Sequence, residues 1–373
     1  MSTQTPSDHN RSTQTLNYRL AVKQQILLTP NTDKSIYSLQ LVAKEEKPIA
    51  YQAGDWVLVQ AVNPTEMVEA LLAKLGLCAE EELHIPRFGT LSVHTLLTEK
   101  LELTQLNPAI LNKLKRQFGL GDWPDRQAMM DYAFGRDILD LLDAFPSLQK
   151  MGRDFLALLS PLAPRYYSIA SDLGNKGQLD LLYRHVQYET AGRLHQGVAS
   201  TWLSKQQVGD EICLEIKSNP LFKLPASKDT PIVMIASGTG LAPFVGFMQQ
   251  RVQQGAQANY LFFGEQHPEQ SCLLCDQLHA WQAQGDLRVE FAFSRHQQKA
   301  YVQDKLAEQK SLLWDLWQAG AVIYLCGSLN KMGKSVEQFW QALFAEKQSM
   351  DSQEAAAFWM AQRKAKRIQM EVY

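Results

Sequence analysis

A strand that runs into a glycine-rich turn and then a helix is the feature that most limits how this chain can fold. The stretch PIVMIAS (231–237) is apolar and suits a buried strand, and GTGLAPFVGFMQQRV (238–252) continues it as a turn and a helix. Three further apolar runs, NYLFFG, LRVEFAFS and AVIYLCGS, follow with helical stretches between them. This alternation is typical of a parallel sheet built from βαβ units. It predicts a Rossmann-like α/β domain over 227–373.

The turn within IASGTGLAP suits a phosphate group. Gly238 and Gly240 allow close approach to the backbone, and the next helix begins with unpaired N–H groups and a positive dipole end. A tight structural turn is the alternative, but the position between strand and helix favours a nucleotide site. The loop departs from the usual dinucleotide pattern because Pro243 stands where a third glycine is common.

A second polar cluster follows the strand LRVEFAFS, in the stretch FSRHQQKAYVQ. Ser294, Arg295, Lys299 and Tyr301 combine a hydroxyl, two cations and an aromatic ring at a strand end. These groups suit a dianionic phosphate with an adenine nearby. Taken alone, the cluster is equally compatible with a solvated loop.

The first half of the chain has a different pattern of apolar residues. Residues 18–60 and 151–226 contain alternating stretches such as SIYSLQLVA and GQLDLLYRHVQYE, which predict strands. Between them, 61–150 carries apolar residues at helical spacing and is predicted to be a helical insertion. The polar stretch 1–17 lacks an apolar signal core and is expected to be a disordered leader.

Composition excludes several function classes. The net charge of -2 gives no electrostatic case for nucleic acid. No apolar run approaches the roughly 18 residues that a membrane span needs. Without a secretion signal, the five cysteines are expected to be free thiols in a reducing cytoplasm. The stretch HPEQSCLLCDQLH has a zinc-like spacing of Cys and His, but core thiols are the better interpretation, so no metal is predicted.

Several motifs resemble those of one enzyme family. RYYSIAS, GVASTWL, SGTGLAPF, YLFFG, SRHQQKAYVQ and YLCGS occur in the order of the ferredoxin-NADP reductase superfamily. The chain is most similar to the FAD/NADPH half of diflavin reductases, especially the sulfite reductase flavoprotein group. The resemblance implies an antiparallel β-barrel FAD domain (18–60 and 151–226) with an α-helical connecting insertion (61–150), and an α/β NADPH-binding domain (227–373).

The resemblance also implies which residues bind FAD. Arg165 would pair with the pyrophosphate, Tyr167 would lie along the flavin, and the Ser168 hydroxyl would reach its N5 edge. Tyr188 would lie near the adenine, although ordinary packing is the alternative for Tyr183 and Tyr188. The full predicted set is Arg165, Tyr166, Tyr167, Ser168, Leu182, Tyr183, Arg184, Tyr188, Gly197, Val198, Ala199 and Ser200.

For NADPH, the resemblance assigns the glycine loop to the pyrophosphate and the second cluster to the 2′-phosphate and adenine. The loop from Ser294 to Lys299 is one residue shorter than usual, and Ser328 and Ser335 replace acidic residues of relatives. The predicted residues are Gly238, Thr239, Gly240, Ser294, Arg295, Lys299, Tyr301, Gln303, Ser335 and Tyr373.

Four residues are implied to serve hydride transfer: Ser168, Cys326, Glu371 and Tyr373. Cys326 would lie beside the nicotinamide, with a buried core thiol as the alternative. Glu371, where relatives usually carry Asp, would stabilise the positive charge that grows on the nicotinamide ring. Tyr373 would stack on the flavin and move aside for NADPH.

The resemblance implies an NADPH-dependent FAD oxidoreductase. In the family a flavodoxin-like FMN domain precedes this module, and here only 17 polar residues do. We therefore expect an external acceptor, either a separate flavodoxin or FMN protein, or a haemoprotein such as sulfite reductase. Two alternatives stay open. One is a ferredoxin- or flavodoxin-NADP reductase with the opposite electron flow, and the other is a non-catalytic flavoprotein scaffold.

Overall fold

The structure is a computed structural model that describes residues 16–44, 49–172, 174 and 177–373. Residues 1–15 of the predicted leader lie outside the described residues. The first strand begins at Leu16, two residues before the predicted start of the barrel.

The strands are numbered in chain order. They are β1 (Leu16–Leu27), β2 (Ile36–Ala43), β3 (Trp56–Val59), β4 (Glu82–Ile85), β5 (Gly89–Ser92), β6 (Arg165–Ser168), β7 (Gln178–Arg184), β8 (Gln187–Thr190), β9 (Arg193–Gln196), β10 (Glu211–Lys217), β11 (Ile232–Ser237), β12 (Asn259–Glu265), β13 (Arg288–Phe293), β14 (Val322–Gly327) and β15 (Ile368–Val372).

The α-helices are α1 (Thr65–Leu75), α2 (Val93–Thr95), α3 (Pro108–Phe118), α4 (Arg126–Ala133), α5 (Ile138–Ala144), α6 (Val198–Ser204), α7 (Ala242–Gln253), α8 (Cys275–Ala283), α9 (Val302–Glu308), α10 (Lys310–Gln318), α11 (Lys334–Gln348) and α12 (Ser352–Lys364). Tighter 3₁₀ turns occupy Pro146–Leu158 and Gly238–Leu241, and wider π turns occupy Leu96–Lys100 and Leu329–Gly333.

Six strands form the predicted barrel sheet, in the order β6-β3-β10-β1-β2-β7. β1 pairs antiparallel with both β2 and β10, and β2 pairs antiparallel with β7. A single bridge between Ile169, just after β6, and Leu181 of β7 joins the two ends of the sheet. The prediction of an antiparallel β-barrel is therefore confirmed.

Five strands form a parallel sheet in the order β13-β12-β11-β14-β15. Its central strand, β11, is apolar almost throughout because both faces are covered by core, as is usual for a parallel sheet. On one face Met234 packs with residues such as Phe247, and on the other Val233 and Ile235 pack with residues such as Trp317. The predicted α/β domain is confirmed, and its last strand, β15, carries the C-terminal residues.

The predicted helical insertion is present and has its own leucine-rich core, which includes Leu71, Leu111 and Leu141. Asn107 and Asp125 cap α3 and α4 with their side chains, which explains where these helices begin. The insertion also contains a hairpin of β4 and β5 that the sequence did not predict. Its strands are only four residues long, and although β4 (ELHI) alternates, β5 (GTLS) has a single large apolar residue, so the alternating pattern is too short to predict a hairpin.

Contact density divides the chain into two compact units. The first unit contains the residues up to Leu58, Tyr166–Arg184 and Gln207–Tyr373, and the second contains Val59–Arg165 and His185–Gln206. The first unit therefore holds most of the barrel sheet together with the whole parallel sheet. The domain boundaries drawn from the sequence follow motifs rather than contacts and stay a prediction.

Candidate functional site

A tight loop joins β11 to α7. Gly238 has a φ of 56°, a left-handed backbone conformation that glycine adopts without strain. A Cβ atom on Gly240 would lie 2.1 Å from the backbone oxygen of Cys326, so the loop can pack there only with glycine. Pro243 lies in the first turn of α7, where its missing N–H leaves no hydrogen bond unmade. Proline in place of a third glycine is therefore compatible with this loop.

A pocket of about 880 Å³ in the first unit adjoins this loop, and its volume suits a dinucleotide portion. Its lining includes eight residues predicted for NADPH: Gly238, Thr239, Ser294, Arg295, Lys299, Tyr301, Gln303 and Tyr373. Two predicted residues are not among the lining. Gly240 is buried beneath the backbone of Cys326, and Ser335 lies half-buried in the first turn of α11.

The pocket also contains residues that sequence reasoning missed or assigned elsewhere. Lys34, between β1 and β2, and Glu265, at the end of β12, line it. So does Arg184, which the sequence assigned to FAD. Lys34 is distant in sequence from every nucleotide motif, so no local pattern could have revealed it. Glu265 directly follows the motif YLFFG and could have been noticed as an acid at a strand end.

The cations of the pocket have protein partners. The guanidinium of Arg295 lies 3.4 Å from a carboxylate oxygen of Asp33, in an exposed ion pair. The Lys299 ammonium lies 5.0 Å from the ring centroid of Tyr301, which is a cation–π contact. Tyr301 itself precedes α9, and its backbone N–H is capped by Asp304. Two cations and an exposed aromatic ring therefore occupy one end of the pocket.

The C-terminal strand brings two predicted residues to other parts of the first unit. The carboxylate of Glu371 accepts a hydrogen bond from the Ser168 hydroxyl at the end of β6. Burial raises the pKa of Glu371 above its usual range, although hydrogen bonds and the nearby Lys223 charge oppose this rise. The phenol of Tyr373 is hydrogen-bonded to the hydroxyl of Thr239 in the glycine loop at 2.8 Å.

Cys326 lies in β14, next to Glu371 in the neighbouring strand. Its thiol is fully buried, and burial raises its pKa well above the ordinary value, with the charge of Glu371 adding to the effect. The thiol therefore stays protonated at neutral pH and acts as a small apolar group. This environment suits contact with an uncharged ring rather than nucleophilic chemistry.

A buried polar network fixes the position of Glu371. The side-chain amide of Asn219 donates to the carboxylate at 2.9 Å, and the backbone N–H of Asn219 donates to Asp55 at 2.9 Å. The Lys223 ammonium donates to the same Asp55 oxygen at 2.6 Å. Gln369, two residues before Glu371, accepts from the Lys223 backbone N–H at 2.8 Å. Both Asn219 and Asp55 are almost fully buried, so the network is rigid.

The residues predicted for FAD are divided between the two units. In the first unit, the ring of Tyr183 is buried, stacks on Tyr37 at 5.4 Å and meets Tyr167 edge-on. Leu182 is buried in the core, and Tyr166 is 48% exposed. Tyr183 is therefore placed as a packing residue, and the FAD roles of this group stay predictions.

In the second unit, Arg165 donates to Glu102 at 2.6 Å and to the backbone oxygen of Ala163 at 2.7 Å. Gly197 precedes α6, whose first residues Val198, Ala199 and Ser200 are buried. The Ser200 hydroxyl accepts from the backbone N–H of Val186 and donates to the oxygen of Gly197. Guanidinium, hydroxyl and N–H donors of this kind fit a flavin pyrophosphate.

Tyr188 stacks on His195 at 5.4 Å in the second unit. The ring Nε2 of His195 donates to the carboxylate of Asp140 at 2.7 Å, and Arg193 pairs with both Asp140 and Asp137. Asp137, Asp140 and His195 lie close enough together to hold a metal ion. The guanidinium of Arg193 pairs with both carboxylates and so balances part of their charge.

The expectation of five free thiols is wrong for two of them. Cys272 and Cys275 are joined as a disulfide, with Cα atoms 5.6 Å apart, a normal separation for a bridged pair. The sequence favoured inward-facing core thiols here, but Leu274 takes a left-handed conformation that turns the two sulfurs toward each other before α8. Cys78, Cys213 and Cys326 are free.

Two family models match this chain. One, the oxidoreductase NAD-binding domain, covers residues 234–364 and so contains most of the parallel sheet and the glycine loop. The other, an FAD binding domain, covers residues 124–202. The chain therefore contains a segment similar to an oxidoreductase NAD-binding domain and a segment similar to an FAD binding domain. FAD and NADPH are the cofactors that these domains support.

Curated relatives are similar to this chain over most of its length. The chain is 36% identical over 351 residues to the sulfite reductase [NADPH] flavoprotein alpha-component of Photorhabdus laumondii, covering 92% of this chain and 58% of the relative. It is 36% identical over 367 residues to the protein of the same name from Yersinia enterocolitica, covering 96% of this chain and 60% of the relative. The module thus spans about three fifths of the length of these relatives. Among the described residues, no helix is long and apolar enough to cross a membrane.

Proposed function

We propose that this chain is an NADPH-dependent FAD reductase that takes hydride from NADPH and passes electrons to an external acceptor. The observation that carries the proposal is the placement of the last strand. β15 brings Glu371 to the Ser168 hydroxyl of the barrel and Tyr373 to the Thr239 hydroxyl of the phosphate loop. One short segment therefore touches residues predicted for the flavin and residues predicted for the nicotinamide nucleotide.

When bound, FAD and NADPH supply the hydride chemistry themselves, and the protein positions them and adjusts the local charge. In our proposal Ser168 offers its hydroxyl to the flavin edge, and Glu371 orients that hydroxyl. Glu371 also places negative charge where positive charge grows on the nicotinamide ring. Cys326, which is protonated and buried, fills space beside the nicotinamide ring and adds no charge there.

Tyr373 acts in this proposal as a movable cover. It is 66% exposed, and the Thr239 hydroxyl holds its phenol. Its backbone is fixed by hydrogen bonds to Gly327 and Leu329, so only its side chain has to turn. The aromatic ring excludes water and yields its place to the nicotinamide when NADPH binds.

For NADPH recognition we assign the 2′-phosphate to Arg295, Lys299 and Ser294, and the adenine to Tyr301. The pocket supports this assignment because these groups share one lining with the phosphate loop. Two cations at one end favour a phosphorylated ribose over a plain one. Gln303 completes the same end, and Ser335 remains a predicted contact.

The electron acceptor is proposed from the relatives. They are named as the flavoprotein alpha-component of sulfite reductase, so their name points to a further component of that enzyme. For this chain we propose that such a partner is a haemoprotein. A separate FMN or flavodoxin-like protein would serve the same role here. A cytoplasmic location stays part of this proposal: Cys78 and Cys213 are exposed free thiols, whereas the Cys272–Cys275 disulfide departs from what a reducing compartment favours.

Anaerobic rapid mixing of the FAD-loaded protein with NADPH tests the proposal. We expect bleaching of the flavin absorbance at neutral pH, much faster with NADPH than with NADH. Reoxidation by a flavodoxin or a sulfite reductase haemoprotein then identifies the acceptor. FAD that binds but does not bleach with NADPH would instead support a scaffold protein.

A further inference from the structure

Glu265 ends strand β12 in the lining of the nucleotide pocket. The residue is only 7% exposed. One carboxyl oxygen, Oε2, accepts a hydrogen bond from the backbone N–H of Gln266 at 3.0 Å. The other, Oε1, is buried and has no hydrogen-bond partner among the residues that the structure describes. Such an orphaned oxygen is costly unless a ligand or a proton satisfies it.

The orphaned oxygen lies beside the phosphate loop. A Cβ atom on Gly238 would be 3.6 Å from Oε1, which makes Gly238 an immediate neighbour. On the other side, the backbone oxygen of Glu265 accepts from the N–H of Ser294 at 2.9 Å. The carboxyl group therefore lies between the loop assigned to the pyrophosphate and the loop assigned to the 2′-phosphate.

Glu265 contrasts with the positive character of this pocket. Its carboxyl has a raised pKa, mainly because it is buried, and the Gln266 N–H, the Lys34 charge and Ser271 oppose the rise. Ser271 lies close enough to the carboxyl to lower its pKa, but its hydroxyl donates to the backbone oxygen of His267 at 3.1 Å, which leaves Oε1 of Glu265 without a hydrogen bond. The charged or titratable groups around the carboxyl on neighbouring elements are Lys34, Arg184, His267, Arg295, Lys299 and Tyr373.

A carboxylate at this place would repel the phosphates of an arriving dinucleotide. Repulsion between like charges is strong in a pocket partly shielded from water, and it favours protonation of the carboxylate. A protonated carboxyl, in contrast, offers an O–H donor at the position of the unpartnered oxygen. Binding of a polyanion and binding of a proton at this site should therefore assist each other.

We propose that Glu265 takes up a proton when NADP(H) binds and that its Oε1–H then donates a hydrogen bond to the nucleotide. The inference rests on the proposed function because it takes NADP(H) as the occupant of the pocket. It adds a proton-linked binding residue to that function. The competing role is an ionised Glu265 that accepts a hydrogen bond from a ribose hydroxyl, with no proton taken up.

The sign of the effect follows from linkage. If the bound complex holds the proton more tightly, NADP⁺ affinity is highest below the pKa of Glu265 in the free protein. It falls by roughly tenfold for each pH unit between the free and bound pKa values, and becomes constant above the bound value. Glu265→Gln is neutral at every pH and keeps an N–H donor in place of the acid proton.

Calorimetric titration of the FAD-loaded protein with NADP⁺ measures this coupling, in two buffers of different ionisation enthalpy and from about pH 6 to pH 9. The wild type should take up a substantial fraction of a proton that Glu265→Gln does not. The 2′-phosphate contributes equally to both proteins and cancels in the difference. Above the titration range, the Gln variant should bind NADP⁺ more tightly than the wild type. Glu269→Gln, a change at an exposed glutamate four residues away, should behave as wild type.

Two results would overturn the proposal. One is equal proton uptake in the wild type and Glu265→Gln. The other is weaker NADP⁺ binding by Glu265→Gln at every pH, which would assign the ionised acceptor role. If the variant does not fold, the wild type alone decides. Proton uptake no larger than the titration of the 2′-phosphate of NADP⁺ accounts for would reject the proposal. Wild-type protein that binds NADP⁺ with proton uptake but fails to reduce FAD with NADPH would refute the proposed function and leave this inference standing.

Discussion

Asn219 donates its side-chain amide to the carboxylate of Glu371 at 2.9 Å, across 152 residues of sequence. Asn219 is itself anchored, because its backbone N–H donates to the buried Asp55. The other carboxylate oxygen of Glu371 accepts from Ser168. Both oxygens are thus committed to fixed partners, and the carboxylate cannot turn freely. We infer that Asn219 is a positioning residue for the proposed hydride transfer.

Replacing Asn219 with Asp tests this role. The change removes the N–H donor and adds a negative charge beside Glu371, so the pKa of Glu371 should rise further. If ionised Glu371 supports flavin reduction, the rate falls as pH drops through that pKa, and in Asn219→Asp this fall should move to higher pH. Rapid-mixing rates measured across pH with NADPH provide the check.

Asn219→Ala is the matched variant for the same site. It removes the hydrogen bond without adding charge, so it should slow flavin reduction by roughly tenfold, in line with the loss of one hydrogen bond to a charged group. A purely structural role would lower thermal stability in both variants and leave the pH profiles superimposable.

Tyr373 gives a second prediction. Tyr373→Ala removes the ring that competes with the nicotinamide, so discrimination against NADH should weaken and release of NADP⁺ should slow. Tyr373→Phe keeps the ring and removes only the hydroxyl contact with Thr239. It should therefore retain most of the discrimination. The ratio of kcat/KM for NADPH and NADH measures the effect, and an unchanged ratio in Tyr373→Ala would argue against the cover.

The extent to which the sequence predicted this site depends on distance along the chain. Residues in local motifs, such as Thr239 and Arg295, were predicted and do line the pocket, because a strand followed by a turn or a cation forms a short, recognisable pattern. Lys34 and Asn219 were missed because their roles come from chain pairings across more than a hundred residues. The β-barrel register and the polar network create those pairings, and neither leaves a pattern at the individual positions.

The same reasoning explains the errors on the fold. Long apolar runs such as IVMIAS predict buried strands well, since burial on both faces demands such composition. The hairpin of β4 and β5 has strands of only four residues, too short for an alternating pattern to stand out from a loop. The Cys272–Cys275 disulfide spans Leu274, whose backbone is left-handed, and the amino-acid sequence does not predict that conformation.

A third prediction concerns the ion pair between Arg295 and Asp33. Both side chains are more than half exposed, so the pair itself adds little stability. It does, however, place a carboxylate in competition with the 2′-phosphate for the same guanidinium. Asp33→Asn should therefore lower the KM for NADPH by a few-fold and leave the KM for NADH unchanged.

Arg295→Ala should act in the opposite direction. Loss of a charge-assisted contact with a phosphate costs about 2 kcal/mol, which corresponds to a roughly thirtyfold rise in the KM for NADPH. Lys305→Ala is a suitable control, because it removes a partly exposed cation on α9 that pairs with Glu308, three residues further along the chain. Equal effects of Arg295→Ala on NADPH and NADH would show that the 2′-phosphate lies elsewhere.

The last prediction concerns stability in the second unit, where Asp140 is buried and bound by its neighbours. Burial favours the neutral form of Asp140, but the hydrogen bond from the Asp137 N–H, the contacts with His195 and the Arg193 guanidinium outweigh it and lower the pKa. A depressed carboxyl pKa stabilises the folded state above the unfolded-state value and loses that contribution as pH falls through the folded value. Asp140→Asn should therefore destabilise the protein by about 3 kcal/mol at neutral pH, since it leaves Arg193 and His195 without one partner. The difference in free energy of unfolding between wild type and variant should shrink below about pH 4, and urea titrations at neutral and acidic pH measure it.

Asp143→Asn, at an exposed carboxylate one turn along the same helix, should change the stability far less at either pH. A deficit in Asp140→Asn that stays constant as the pH falls would mean that the ionised carboxylate contributes nothing, and that packing alone explains the loss.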